Sequence, residues 1–222
     1  MKNLYNSLLL KQLYQLKGLG YHYTDAKEFS YQEQNALKLP NSINELRQQA
    51  TNCHLCSLSK SRNRVVFGEG NSNAEILFVG YMPLEIEDEK GKGKPFLGRG
   101  GEMLTAMIEK VLKLSRDEVY ISNLLKCHPL STQKGLETEI HTCKAYLFKE
   151  IEIIKPKIIV SLGEEAYHYL SNDSIELKKI RGSVIEKENY LLVPTYHPNF
   201  LLKNPSLKKE VFEDLQTIKR LL

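Results

Sequence analysis

The chain carries its clearest structural signal in Ile158-Ile159-Val160-Ser161-Leu162, a run that ends directly at Gly163-Glu164-Glu165. Short runs of β-branched and aliphatic residues, bounded by glycine or polar residues, are typical of strands. Comparable runs at 74–79, 119–122 and 190–194 predict three further strands.

Amphipathic stretches separate these strands. Apolar residues recur at helical spacing from Leu104 to Leu112, and helices are also predicted at 143–154, 163–170 and 207–222. Ser42 and Glu45 form a capping-box pattern, which predicts a short helix that leads to Cys53. Parallel neighbours need crossover connections, so this alternation predicts an α/β fold: a three-layer α/β/α sandwich around a central, mainly parallel four-stranded sheet.

The N-terminal segment has a different texture. A helix-like stretch precedes Gly18-Leu19-Gly20, and a tyrosine-rich polar connector follows it. We therefore predict a helical extension at residues 1–41 and a main domain at residues 42–222. The extension either packs on the main domain or binds a protein partner, and the sequence leaves both possibilities open.

The composition narrows the class of protein. The apolar runs are far shorter than the about 20 residues that cross a bilayer, so we expect a cytoplasmic protein without membrane contact. A net charge of +4 fits a polyanionic partner such as DNA, although many basic proteins do not bind nucleic acid.

Residues with chemical capability follow the predicted strands. Open parallel sheets bind ligands beyond the carboxyl ends of their strands. The segments at those ends are Gly80-Tyr81-Met82-Pro83, Asn123-Leu124-Leu125-Lys126-Cys127, Gly163-Glu164-Glu165 and Thr195-Tyr196-His197-Pro198. The candidate site is therefore expected where these loops meet.

The four cysteines are poor disulfide candidates in a reducing compartment. Cys53 and Cys56 form a C-x-x-C pair, whereas Cys127 and Cys143 stand alone further along the chain. A zinc ribbon usually pairs its ligands two and two, so this spacing favours a cluster that gathers distant loops. A zinc site and four unligated core cysteines remain as alternatives.

The ordered motifs resemble those of the family 4 uracil-DNA glycosylases, the iron–sulfur branch of the uracil-DNA glycosylase superfamily. The resemblance runs from about Ser42 to the C-terminus. It rests on Cys53-His54-Leu55-Cys56, Gly68-Glu69-Gly70-Asn71, Phe78-Val79-Gly80 with Pro83 and Glu87-Asp88, Lys94-Pro95-Phe96-Leu97-Gly98, Ser122-Asn123, Lys155-Pro156-Lys157, Leu162-Gly163, Arg181-Gly182 and Pro194-Thr195-Tyr196-His197-Pro198.

This resemblance implies a role for each candidate residue. Phe96 would stack on a uracil base flipped out of DNA, and Asn123 would hydrogen-bond the base at N3 and O4. His197 would donate a hydrogen bond near O2, where negative charge develops as the glycosidic bond breaks. Gly80, Tyr81 and Met82 would cradle the base edge. Cys53, Cys56, Cys127 and Cys143 would hold a [4Fe–4S] cluster that orders loops on the DNA side.

Two groups of surface residues would complete the DNA contact. Phe200, Leu201 and Leu202 are candidates for a wedge that holds the emptied base stack open. The candidate phosphate contacts are Lys60, Arg62, Arg64, Lys94, Arg99, Lys126 and Lys203.

The chain departs from the family pattern in its first motif. Tyr81 stands where the family has a glutamate, and Leu84 stands where it has a glycine. A tyrosine is neutral at pH 7 and does not replace a carboxylate, although its ring could close over the pocket. Glu87 and Asp88 are then the remaining motif carboxylates to share the catalytic work.

We therefore predict a monomeric, monofunctional glycosylase that acts on DNA containing uracil or a related deaminated base. The loss of the first-motif acid keeps a second possibility open: a damaged-base sensor or polymerase accessory with little or no turnover. A redox protein whose function is the cluster itself is a more distant alternative, since it needs neither Asn123 nor His197.

Overall fold

The computed structural model describes residues 39–89, 93–129 and 137–222 and confirms the predicted α/β fold. Four strands form the parallel centre of one sheet: β2 (Ile76–Gly80), β3 (Tyr120–Asn123), β4 (Ile158–Leu162) and β6 (Leu191–Thr195). Two short strands, β1 (Glu69–Gly70) and β5 (Ile185–Glu186), pair antiparallel with β3 and β6. The spatial order is β1-β3-β2-β4-β6-β5.

The sheet thus has six strands where the sequence predicts four. The two extra strands are edge strands of two residues each, too short to carry an alternating or apolar pattern. They exist because β3 and β6 each offer a free edge to a neighbouring segment. The four predicted strands are present, with boundaries shifted by at most two residues.

Helices precede, connect and follow the strands. They are α1 (Ile43–Thr51), α2 (Glu85–Glu89), α3 (Gly98–Ala106), α4 (Glu137–Ile154), α5 (Glu164–Ser171), α6 (Leu177–Ile180), α7 (Pro198–Lys203) and α8 (Lys208–Leu221). A π-helical turn, Met107–Leu112, continues α3. None of the described helices combines the length and the apolar character that a bilayer span requires.

The predicted capping box at the start of α1 does not form. The helix begins at Ile43 as expected, but the Ser42 side chain makes no capping hydrogen bond. A capping box is present instead at the 3₁₀ turn Arg116–Glu118, where the Ser115 N–H donates to Glu118 Oε2 over 2.6 Å. The pattern alone does not select the site, because the turn geometry must bring both side chains back to the backbone.

Apolar side chains on one face of the sheet form the main core. Phe78, Val160 and Val193 on adjacent strands are all fully buried there. Helices α3 and α8 cover this face with, among others, Leu104 and Ile218. Burial on both sides explains why the strands read as continuous apolar runs.

The strand order places a topological switch point at β2. The next strand along the chain, β3, lies on one side of β2, and β4 lies on the other. Crevices that bind ligands occur at such points, beyond the carboxyl ends of the strands. The predicted division of the chain at residue 41 stays a prediction, since residues 1–38 lie outside the described part.

Candidate active site

A narrow cavity lies at the carboxyl ends of β2, β3 and β6. It brings together Asn123, the last residue of β3, with Phe96 and His197, which lie in two separate loops. The lining residues are Met82, Leu84, Glu87, Phe96, Leu97, Gly100, Gly101, Asn123, His197 and Asn199. We call this cavity the base slot.

Phe96 is held in an unusual backbone conformation. Its φ of +55° lies in the left-handed region, which is uncommon for a bulky side chain and marks a conformation that its surroundings enforce. Arg116 donates hydrogen bonds to the carbonyl oxygens of Pro95 (2.9 Å) and Phe96 (3.3 Å). The sequence gives no signal for this role of Arg116, because it lies in a separate loop with no motif of its own.

Asn123 ends β3 and points into the base slot. It is 2% exposed, and within the described residues neither its Oδ1 nor its Nδ2 has a hydrogen-bond partner. Each buried polar group without a partner costs about 1–3 kcal/mol. A protein tolerates such a cost where a ligand supplies the missing partners, so the amide is suited to read the edge of a flat polar ligand.

Gly80 lets these groups approach each other. A methyl group at this position would overlap Asn123 Oδ1 and would lie 2.7 Å from Phe96 Cζ. Only a residue without a side chain permits the amide and the ring to lie this close to the end of β2. The expected close approach of the Gly80 backbone thus has a geometric basis.

His197 is neutral at physiological pH. Burial lowers the pKa of its imidazole to about 4. The backbone N–H of Asn199 donates to Nδ1 over 3.1 Å, so the neutral ring carries its proton on Nε2. The ring lies 5.4 Å from that of Phe96, with 28° between the planes. Asn199, which sets the tautomer, is not singled out by the sequence.

The two motif carboxylates lie in different places. Glu87 lines the base slot and accepts hydrogen bonds from the backbone N–H groups of Leu84 (3.1 Å) and Leu97 (3.2 Å). Burial raises the pKa of Glu87, and these backbone bonds oppose that shift.

Asp88 points away from the base slot, although it is predicted as a catalytic carboxylate. Its carboxylate accepts from the backbone N–H of Asn63 (3.0 Å) and of Arg64 (2.7 Å). It therefore anchors the loop that follows the C-x-x-C segment. Adjacent residues of a helix such as α2 point in directions about 100° apart, which explains the division.

Tyr81 is not one of the residues that line the base slot, whereas Met82 and Leu84 are. The Tyr81 ring lies parallel to that of Tyr169, with 6.3 Å between the centroids. Burial, followed by the proximity of Tyr169 and Glu165, raises the pKa of its hydroxyl. Tyr81 therefore forms part of an aromatic pair beside the base slot and is uncharged at neutral pH.

All four cysteines line a second cavity. It is enclosed by Ala50, Cys53, Leu55, Cys56, Arg62, Lys126, Cys127, Thr142, Cys143 and Tyr146. Arg62 donates to Cys127 Sγ over 3.4 Å, and the backbone N–H of Lys126 donates to Cys143 Sγ over 3.3 Å. Such donors stabilise thiolate ligands, so the chemistry of the cavity fits a cationic metal centre.

Four thiols that line one cavity are a donor set that suits an iron–sulfur cluster. Among the described residues, no three Cys, His, Asp or Glu side chains converge closely enough to hold one metal ion. A cluster places its thiolates further apart than a zinc ion does, because each sulfur binds a different iron. Burial raises the pKa of the Cys143 thiol to about 12, and a bound cation would favour its deprotonated form.

The prediction that Lys126 contacts phosphate is wrong. Its side chain is 2% exposed and ion-paired with Glu150, which the sequence does not identify as a partner. Arg62 is also engaged, since it donates to the carbonyl oxygens of Thr51 and Cys53. The candidates that remain exposed are Lys60, Arg64, Lys94, Arg99 and Lys203.

The structure also leaves fewer candidates for the predicted wedge. Leu201 is 1% exposed and belongs to the core, so it cannot enter a DNA stack. Phe200 is 45% exposed on α7, three residues after His197, and Leu202 is partly buried. Helical geometry puts neighbouring residues on different faces and leaves Phe200 as the wedge candidate.

Comparison with known proteins identifies the family. The model of the uracil DNA glycosylase superfamily matches residues 67–216. A type-4 uracil-DNA glycosylase of Sulfurisphaera tokodaii is 39% identical over 81% of this chain and 84% of its own length. Those of Saccharolobus solfataricus and Thermotoga maritima are 40% and 36% identical, over 82% and 78% of this chain and 87% and 90% of their own lengths. This chain therefore belongs to the uracil-DNA glycosylase superfamily and, within it, to the type-4 family.

Proposed function

We propose that this protein is a monofunctional uracil-DNA glycosylase, which cleaves the bond between uracil and deoxyribose and leaves an abasic site. The observation that carries the proposal is the buried, unpartnered amide of Asn123 beside the rings of Phe96 and His197. Family membership and the type-4 relatives support the same activity.

Recognition would begin when the base leaves the DNA stack and enters the base slot. Phe96 offers one face for stacking. Oδ1 of Asn123 would accept from N3–H of uracil, and Nδ2 would donate to O4. Cytosine has an acceptor at N3 and a donor at C4, so it would meet the wrong groups at both positions. Discrimination of this kind is strong because mismatched buried groups stay unpaired.

His197 would act during bond cleavage. As the C1′–N1 bond breaks, the electron pair moves into the base and charge develops at O2. A neutral imidazole that donates from Nε2 stabilises this charge without giving up its proton. Water then adds to C1′, one of its protons is released, and the uracil anion is protonated to neutral uracil.

Glu87 is proposed to support this site as a carboxylate. Its contacts with the N–H groups of Leu84 and Leu97 link the loop after β2 to the loop that carries Phe96. A negative charge at this wall would also favour the oxocarbenium-like sugar. Asp88 is better explained as a loop anchor, because both of its oxygens accept from the backbone of residues 63–64.

We further propose that Cys53, Cys56, Cys127 and Cys143 hold a [4Fe–4S] cluster. When bound, this group would supply a cross-link among the segment after α1, helix α4 and the loop after β3. The chain's own residues, Arg62 and Lys126, would donate hydrogen bonds to the ligand sulfurs of Cys127 and Cys143. Iron and sulfide content of the anaerobically purified protein tests this proposal; about four of each per chain are expected.

Incubation with an oligonucleotide that contains uracil, followed by alkaline cleavage, tests the activity. Strand breaks at uracil and none at thymine or cytosine are the expected result. Binding without cleavage would instead support a damaged-base sensor, which the glycosylase relatives do not favour. DNA affinity should fall as salt rises, because phosphate contacts release counterions. A monomeric state, a cytoplasmic location and a partner for residues 1–41 remain predictions.

A further inference from the structure

Lys126 and Glu150 form a charged pair that is buried next to Asn123. Their side chains are 2% and 0% exposed, and Nζ lies 2.5 Å from Oε2. Removing two charges from water is costly, and apolar replacements of such pairs are often neutral or stabilising. Stability alone therefore does not account for a charged pair at this place.

The hydrogen bonds of the pair are directed to the end of β3. The Lys126 ammonium also donates to Ser122 Oγ over 2.6 Å and to the carbonyl oxygen of Asn123 over 2.8 Å. Together with Glu150 Oε2, these acceptors occupy all three N–H donors of the ammonium group. Glu150 in turn accepts from the hydroxyls of Ser122 (2.8 Å) and Tyr120 (3.2 Å). The network thus surrounds Ser122 and Asn123, the last two residues of β3.

The backbone of the same lysine contacts the thiol cavity. The Lys126 N–H donates to Cys143 Sγ, and Cys127 is the next residue in the chain. Lys126 thus contacts both Asn123, which is proposed to read the base, and Cys143 in the cavity lined by the cysteines. A fully satisfied buried network of this kind is rigid, because each displaced member would leave buried polar groups unpaired.

We infer that Lys126, held by Glu150, is a positioning residue that fixes Asn123 in the orientation required to read uracil. The inference rests on the proposed function. Within the described residues the Asn123 amide has no hydrogen bond of its own, so its direction depends on the backbone and on packing against Phe96 and Gly80. The hydrogen bond from the Lys126 ammonium to the Asn123 carbonyl oxygen fixes the position of this backbone.

The test uses the double variant Lys126→Met with Glu150→Leu. It removes both charges together, so neither is left buried without its partner. Its affinity is measured for two duplexes: one carries an uncleavable 2′-fluoro-deoxyuridine, and the other carries an abasic tetrahydrofuran analogue. We expect a loss of about 10-fold for the uracil duplex and about 100-fold in the excision rate, as for a displacement of about 1 Å. Affinity for the abasic duplex should stay within about twofold, because no base reaches Asn123.

Tyr120→Phe is the matched control. It removes another buried hydrogen bond to Glu150 but leaves the contact between Lys126 and Asn123 intact. Its ratio of the two affinities should equal that of the wild type. Iron content measured in each variant shows whether the cysteine site is preserved. Should the double variant not fold, Ser122→Ala removes one acceptor of the ammonium and is expected to give a smaller loss in the same direction.

Two results would overturn the inference: wild-type affinity of the double variant for both duplexes, or equal losses for both, which would indicate a purely structural role. Failure of the wild type to cleave uracil-containing DNA is a separate result. It would contradict the proposed glycosylase activity rather than the role of Lys126.

Discussion

Gly80→Ala should inactivate the enzyme by closing the base slot from inside. The added methyl group would overlap Asn123 Oδ1 and lie 2.7 Å from Phe96 Cζ. Carbon atoms pack best at about 3.5–4.0 Å, so the ring has to retreat by about 0.8 Å and the amide by more. A displacement of about 1 Å in a catalytic group costs about 100-fold in rate.

The same substitution should lower stability modestly. Overpacking of a filled interior costs about 1–3 kcal/mol. In a domain of this size, such a loss corresponds to a fall in Tm of about 2–12 °C. Single-turnover excision of uracil and thermal melting measure the two effects separately. Adding Asn123→Ala should restore part of the Tm, because it removes the atom that the methyl group overlaps. Gly80→Ala with wild-type excision would refute the geometry of the base slot.

Three further predictions follow from the same site. Asn123→Ala should lower excision by about 100-fold or more without lowering Tm, because the protein itself does not pair the lost amide; a clear fall in Tm would contradict this. Glu87→Gln should lower excision by about 10-fold, since an amide cannot accept from both the Leu84 and Leu97 N–H groups as a carboxylate does; unchanged single-turnover rates would remove Glu87 from the site. Because the folded pKa of His197, about 4, lies below its unfolded value of about 6.5, its contribution to stability should be complete above about pH 6.5 and lost as pH falls toward 4. Titration of His197 should therefore not change the excision rate between about pH 8 and 5.5. A loss of activity near pH 6.5 that depends on His197 would show that the ring is not buried.

The strands illustrate what local pattern can predict. The run from Ile158 to Leu162 is a buried strand with the boundaries read from the sequence, because a short run of apolar or small residues is typical of a strand covered on both faces. The edge strands β1 and β5 could not be predicted, since two residues carry no periodicity. Their pairing depends on where the chain passes the free edge of the sheet.

The candidate site divides in the same way. Phe96, Asn123 and His197 follow predicted elements and occur in recognisable motifs, so their proximity is expected from a parallel sheet. Lys126 shows the opposite case. A lysine beside a motif is usually solvated, and only the packing of α4 against β3 brings Glu150 to it and buries both.

Residue types and their order are enough to establish an α/β chain with strand-end loops, four thiols suited to a metal centre and the type-4 family. Tertiary structure alone establishes that Asp88 anchors a loop while Glu87 faces the base slot, that Leu201 is core while Phe200 is exposed, and that Asn199 sets the His197 tautomer. The physical reason is that periodicity reports which side of its own element a residue occupies. Hydrogen-bond partners and burial depend on segments distant in the chain, whose approach no local pattern records.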